Sequence, residues 1–247
     1  MKNYLDFKLN IFDEVTSTND VLREMAISGA PDKTVVLASS QTKGRGRLGR
    51  SFFSPNGSGI YMSLLLRPQI DIADIPLITP LTAVVVCEAI EQIFSVSPQI
   101  KWVNDLLLNG KKICGILTEG AFTSDGKIDY IIVGIGINLN PPKDGFPSDI
   151  ENIAGAVTCD YSEDKKEKLI EKILQIFDER IAKFSTKDFV SIYRKKSAVI
   201  GKDVTVILGE SKISAKVLDI SDNCELVVRY ENGKTEALSS GEISVRL

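Results

Sequence analysis

Leu226-Val227-Val228-Arg229-Tyr230-Glu231-Asn232-Gly233-Lys234-Thr235-Glu236-Ala237-Leu238 sets two short runs of strand-forming pattern on either side of Asn232-Gly233. Asn-Gly between such runs signals a two-residue hairpin. The texture continues outward in both directions. Asp203–Leu208, Ile213–Ile220, Glu225–Tyr230, Lys234–Leu238 and Glu242–Arg246 read as strands, parted by Gly209-Glu210, Ser221-Asp222-Asn223 and Asn232-Gly233. Five short strands in this span predict a small β-barrel of SH3-like type.

Before about residue 195 the pattern is mixed. Ser17-Thr18-Asn19-Asp20 supplies cap residues ahead of Val21, Leu22, Met25 and Ala26, a short amphipathic helix. Leu81, Val84, Val85, Ala89 and Ile93 give a second helix. Leu169, Ile170, Ile173, Leu174, Phe177, Ile181 and Phe184 give a third, opened by Ser162, Glu163 and Asp164. Thr34–Ser39, Ile60–Leu66, Ile113–Glu119 and Tyr130–Ile135 read as strands. The expectation is an α+β fold: a mixed central sheet with helices packed on one face, then the barrel. The division falls at residues 1–198 and 199–247.

Hydrophobic residues at 43% and charged residues at 26% describe an ordinary globular chain. No sequence stretch approaches the ~20 apolar residues of a membrane helix. Met1-Lys2-Asn3-Tyr4-Leu5-Asp6 is too polar for a secretory signal. Cys87, Cys114, Cys159 and Cys224 are widely spaced and read as buried thiols, so the expected compartment is the cytoplasm. The chain has no histidine, which excludes His-based triads, His general bases and the usual zinc sites. A net charge of −3 argues against a dedicated nucleic-acid binder.

Three segments remain as carriers of chemistry. Gly44-Arg45-Gly46-Arg47-Leu48-Gly49-Arg50 follows a strand. Glycines allow left-handed backbone and close approach, and arginine forks grip phosphate or carboxylate. Together they describe a cationic loop able to close over an anion. The alternative, an RNA-binding arginine–glycine tract, fits poorly with one short copy in an acidic chain. Lys101-Trp102-Val103-Asn104-Asp105 runs into a hairpin, Leu106–Leu108 and Ile113–Leu117, turning at Asn109-Gly110. Lys101 and Lys112 flank it, and an Asp here suits a metal or an arginine. Gly134-Ile135-Gly136-Ile137-Asn138-Leu139 lacks the third glycine of a dinucleotide fingerprint. It reads as a glycine-lined strand end against a flat ligand, with the Asn138 amide offered to a base edge.

In this order and spacing, the segments closely resemble the biotin–protein ligase family. The resemblance rests on Ser17-Thr18-Asn19, the Gly44–Arg50 loop, Lys101-Trp102-Val103-Asn104-Asp105, Lys112 with Gly115-Ile116-Leu117, and Gly134-Ile135-Gly136-Ile137-Asn138. It spans residues from about 17 to 140, and the terminal barrel matches the family's C-terminal domain. Val103 departs from the family's usual proline. The catalytic motifs begin within twenty residues of the start, so no DNA-reading domain is expected.

The resemblance implies a two-step reaction. Biotin's carboxylate attacks the α-phosphate of Mg-ATP to give biotinyl-5′-AMP and pyrophosphate; a lysine of a biotin carboxyl carrier protein then attacks the mixed anhydride. ATP, Mg2+ and biotin are substrates, with no tightly bound prosthetic group, no DNA or membrane partner, and a homodimer as the preferred assembly. The implied biotin-binding residues are Ser17, Thr18, Asn19, Gln41, Gly44, Arg45, Arg47, Lys112, Gly115, Ile116 and Leu117. The implied nucleotide-binding residues are Arg45, Arg47, Arg50, Phe52, Lys101, Asn104, Lys112 and Asn138. Lys112, Asp105 and Arg47 are the implied catalytic residues, Asp105 serving either the metal or the incoming lysine. Two alternatives stand beside this: a lipoate–protein ligase of the same architecture, and a non-enzymatic phosphate- or RNA-binding module.

Overall fold

The structure is a computed structural model that describes residues 3–4, 6–160, 162–208 and 211–245. The turn read at Gly209-Glu210, and Arg246 at the end of the last strand, lie outside them. The first region contains β1 (Asn3–Tyr4), β2 (Phe7–Val15), α1 (Thr18–Ile27), β3 (Thr34–Gln41), β4 (Gly59–Leu66) and α2 (Ile78–Phe94). There follow β5 (Gln99–Lys101), β6 (Asp105–Leu108), β7 (Lys111–Phe122), β8 (Ile128–Asn138), α3 (Glu163–Ile181) and α4 (Phe189–Lys195). The second region contains β9 (Asp203–Leu208), β10 (Ser211–Ile220), β11 (Leu226–Tyr230), β12 (Thr235–Leu238) and β13 (Glu242–Val245).

The large sheet runs β1-β2-β3-β4-β8-β7-β6-β5. β2 and β3 are parallel, which requires a crossover, and α1 provides it. The other neighbouring pairs are antiparallel. Period-two alternation then sorts the side chains. Val35, Leu37, Leu64, Val133, Ile135 and Ile137 join the main core with α2, α3 and α4 on one face. Val36, Leu65 and Ile132 join Leu22 and Ala26 of α1 on the other. The site-bearing face is therefore the one that α1 covers only at one end.

α2 is the inner helix. With the turn before it, Ile72–Phe94 is long and apolar enough to cross a membrane by length and composition, contrary to the sequence expectation. Val84, Val85, Val86 and Cys87 are all fully buried, so here it is a core helix. α3 starts as expected, with Ser162 accepting from Lys165 N, but it ends at Ile181. Phe184 sits on a separate turn, where it stacks on Phe189 of α4 at 5.9 Å.

The two Asn-Gly turns resolve differently. Asn109 and Gly110 both take positive φ, 52° and 77°, and close β6 and β7 in two residues. At Asn232-Gly233 only Gly233 does so among the two, at 84°, and Tyr230 N bonds to Lys234 O. That hairpin loop therefore has three residues, because its left-handed position follows a right-handed turn.

The second sheet, β12-β11-β10-β9-β13, is antiparallel and forms the SH3-like unit. Its interior residues, among them Val204, Val217 and Leu226, are continuous with the main core. Trp102 Nε1 donates to Cys224 O at 2.9 Å, and Arg194 Nε to Ile220 O at 2.8 Å. Cys87, Cys114 and Cys224 are buried; Cys159 is exposed, against expectation.

Candidate active site

The antiparallel pairing of β7 with β8 sets Gly115 opposite Gly136 and Leu117 opposite Gly134. Their neighbours Ile116, Ile135 and Ile137 point into the core, so the glycines leave the opposite face bare. A cavity of about 320 Å3 opens above this floor. Phe52 occupies part of it: a Cβ on Gly136 would lie 2.6 Å from the Phe52 ring. Tyr61 of β4 meets that ring edge-on, with centroids 6.5 Å apart and planes at 70°.

One end of the floor is neutral and heavily hydrogen-bonded. Ser17, Thr18 and Asn19 are buried, although Ser17, the cap by position, makes no side-chain cap bond. Ser17 O still accepts from Val21 N at 3.1 Å, and all three residues line the cavity. Thr18 N and Oγ1 both bond to Gln41 Oε1, at 2.8 and 3.2 Å, and Gln41 Nε2 donates to Ser54 Oγ at 2.8 Å. Ser63 Oγ lies 2.8 Å from Thr18 Oγ1 and 2.6 Å from Asn19 Oδ1. The result is a fixed set of donors and acceptors suited to a small polar headgroup.

The other end is charged. Lys112 Nζ is 2.7 Å from Asp105 Oδ1 and 6.0 Å from the Phe52 centroid. That Asp105 oxygen is buried, and its partner at this end is the Lys112 ammonium. Lys101, opposite Asp105 in the β5–β6 pairing, and Arg47, bonded to Asn104, stand at the same end, and Arg50 also lines the cavity. Arg47 donates at 3.3 Å to Asn104 Oδ1 and at 3.3 Å to Gly241 O. Asn104 is itself fixed by Ile116 O at 2.9 Å. Leu48 and Gly49 at the loop tip have φ of 54° and 75°, and Leu48 is exposed. A polar slot that runs into a cluster of cations suits a ligand with a neutral head and an anionic tail.

Residues 11–138 match the Biotin/lipoate A/B protein ligase family and residues 199–246 match the Biotin protein ligase C terminal domain. The chain belongs to the biotin protein ligase family. A bifunctional ligase/repressor BirA of Bacillus spizizenii is 36% identical over 90% of this chain and 69% of its own length. A biotin–[acetyl-CoA-carboxylase] ligase of Mycobacterium tuberculosis is 26% identical over 96% of this chain and 88% of its own. The biotin protein ligase of Aquifex aeolicus, solved in complex with biotin and ATP, superposes with a TM-score of 0.79 at 33% identity, covering 97% and 98% of the two chains.

The ligase cavity gathers most of the residues singled out in the sequence. Ser17, Thr18, Asn19, Gln41, Arg45, Arg47, Arg50, Phe52, Lys101, Asn104, Asp105, Lys112, Gly115, Ile116 and Leu117 all line it. Gly44 and Asn138 do not. Gly44 is packed behind the wall, where a Cβ would meet Phe52 O at 2.3 Å. Asn138 donates its amide to Gly155 O at 3.0 Å, away from the cavity. The Arg45 guanidinium is occupied by Asp20 and Glu119. Sequence reading quoted Trp102 within its segment but gave it no role, and it missed the barrel residues Ile207, Gly241 and Ile243, which also line the cavity. Asn104 and Val103 lie in a turn whose Trp102–Val103 peptide bond is cis.

Proposed function

We propose that this ligase condenses biotin with Mg-ATP at the cavity floor and passes the biotinyl group to a lysine on a carboxylase's carrier domain. The observation that carries the reading is the polarity of one slot: fixed neutral hydrogen bonds at Thr18 and Gln41, and Lys112 at the far end. Biotin has that polarity, a ureido ring at one end and a carboxylate at the other. The carboxylate oxygen attacks the α-phosphorus, pyrophosphate leaves, and a mixed anhydride remains. The acceptor amine then attacks its carbonyl carbon and AMP leaves.

Neither step needs an enzyme nucleophile, which suits a chain without histidine. Lys112 would neutralise the charge gathered where carboxylate meets α-phosphate. Lys101, Arg47 and Arg50 would hold the phosphates, with Phe52 against the base. Mg2+ enters as part of the substrate: a phosphate-borne Mg2+ needs at most one or two protein carboxylates. Among the described residues no cluster of three or more metal ligands exists; Asp105 is the carboxylate among the residues that line the cavity and is the candidate to hold the ion. Its carboxylate, on the cavity lining beside Lys112, equally suits reception of the incoming amine's proton.

The acceptor class is supported by the name of the Mycobacterium tuberculosis relative, a biotin–[acetyl-CoA-carboxylase] ligase. A homodimer joined through the sheet is supported by β2, where Ile11 and Phe12 are exposed. The test is exchange of labelled pyrophosphate into ATP, run with biotin, with lipoate and with neither. Exchange that requires biotin is the expected result. Exchange driven equally by lipoate, or by neither vitamin, overturns the reading.

A further inference from the structure

The arginine loop is held very unevenly. Arg45 and Ser51 bridge its base, with Phe52 N bonded to Gly44 O at 2.9 Å and Gly46 N to Arg50 O at 2.7 Å. Arg47 at the tip meets neutral acceptors, both at 3.3 Å. Arg45 at the base meets carboxylates: Nη1 is 2.6 Å from Asp20 Oδ1, and Nη2 is 2.8 Å from Glu119 Oε1. Arg23 of α1 closes the group, at 2.7 Å from Asp20 and 2.9 Å from Glu119. Charge-assisted bonds of this length are about twice as strong as neutral ones. A closed group of four charges also holds its geometry better than an isolated surface pair.

Glu119 has a further tie. Its Oε2 accepts from Asn19 Nδ2 at 2.8 Å. Asn19 is held from its other side as well, since its Oδ1 accepts from Ser63 Oγ at 2.6 Å. Glu119 itself stands behind the cavity wall that Arg45 and Asn19 help to form.

We infer that Glu119, together with Asp20, is a positioning residue that stakes Arg45 to the frame of α1 and β7. The loop tip then closes over the adenylate from a fixed pivot. The inference rests on the ligase reading above. Closure matters for keeping a reactive anhydride, whereas Glu119 has no part in forming it. Release of the adenylate should therefore respond to Glu119 far more than its synthesis does.

The experiment compares wild type with Glu119→Gln, Arg45→Gln and the double variant. Two readouts are taken from each: biotin-dependent pyrophosphate exchange, and biotinylation of an unrelated lysine-rich protein by escaped adenylate. Glu119→Gln should keep exchange at saturating biotin within about threefold of wild type. It should raise stray labelling about tenfold, since lost retention appears mainly in the off-rate. The double variant should leak no faster than the leakier single, because both changes break one interaction. Asp20→Asn, which removes the second stake, should leak in the same direction and serves if Glu119→Gln does not fold. Wild-type labelling by folded variants, additive leakage, or exchange that falls in step with retention would each overturn the inference. Wild type without biotin-dependent exchange would instead overturn the ligase reading.

Discussion

Lys112 and Arg47 are both cations of the cavity's charged end, yet their settings predict different defects. Lys112 extends over the Gly115 side of the floor, 2.7 Å from Asp105, where its position is fixed before substrate arrives. A cation pre-placed at developing negative charge contributes ~3 kcal/mol, or about a hundredfold in rate. Lys112→Ala should lower the exchange rate by that factor while biotin affinity, measured by calorimetry, falls far less. Exchange at the wild-type rate would reduce Lys112 to a surface lysine on a hairpin. Arg47 sits on a tip whose Leu48 and Gly49 are both left-handed, and its contacts to Asn104 and Gly241 are long. Arg47→Gly should therefore permit synthesis but release the adenylate about ten- to a hundredfold faster. Incubation with ATP, biotin and an unrelated lysine-rich protein reads this directly; labelling equal to wild type, with synthesis confirmed, would show that Arg47 does not guard the intermediate.

β8 shows how one strand serves core and site at once. Ile131, Val133, Ile135 and Ile137 fill the main core, while Gly134 and Gly136 bare the opposite face. Gly134→Ala would drive a methyl to within 2.2 Å of Asn19 Oδ1, which Ser63 and Glu119 hold in place. Overpacking of this kind costs about 1–3 kcal/mol. The expected outcome is a KM for biotin raised about tenfold, with kcat within a few-fold, because the displaced groups belong to the neutral end. Gly120→Ala is the control, since its Cβ would meet Phe122 at an ordinary 3.8 Å. Equal effects from the two would mean that the close approach at Gly134 is unimportant. The glycine-lined strand end, the Asn109-Gly110 hairpin and the arginine loop were legible in the sequence because each is a local pattern with one physical meaning. β2 was not, since an outer strand with exposed Ile11 and Phe12 has no clean alternation. β5 and α4, with three and seven residues, are too short to show a period. The Asn138 amide's bond to Gly155 O was not legible for another reason: Gly155 lies in an irregular loop that carries no signal.

At the scale of the whole molecule, the proposed division after residue 198 separates two sheets but not two cores. Val204, Val217 and Leu226 belong to the same buried cluster as α2, and Trp102 bonds across the boundary to Cys224. No local pattern in either segment could announce that contact, nor the reach of Gly241 to Arg47. Sequence alone suggests that cutting after about Ile200 leaves a soluble domain that still binds biotin but transfers it poorly. The shared core predicts something harsher: the cut strips Trp102 of its Cys224 partner and removes Ile207 and Ile243 from the cavity wall. The truncated chain should melt well below the full one and make little adenylate. The thiols offer a test in the intact protein. Burial pushes the Cys87 and Cys224 thiols up to about 12, and Cys114 well above its ordinary range. Thiolates are the reactive species, so these three should resist alkylation at mildly alkaline pH while exposed Cys159 reacts at once. As denaturant is added, a single cooperative unit exposes Cys224 together with Cys87 and Cys114. Mass-resolved labelling that finds Cys224 alkylated at lower denaturant than the other two would show that the barrel undocks by itself, and the shared core would then not govern the molecule's stability.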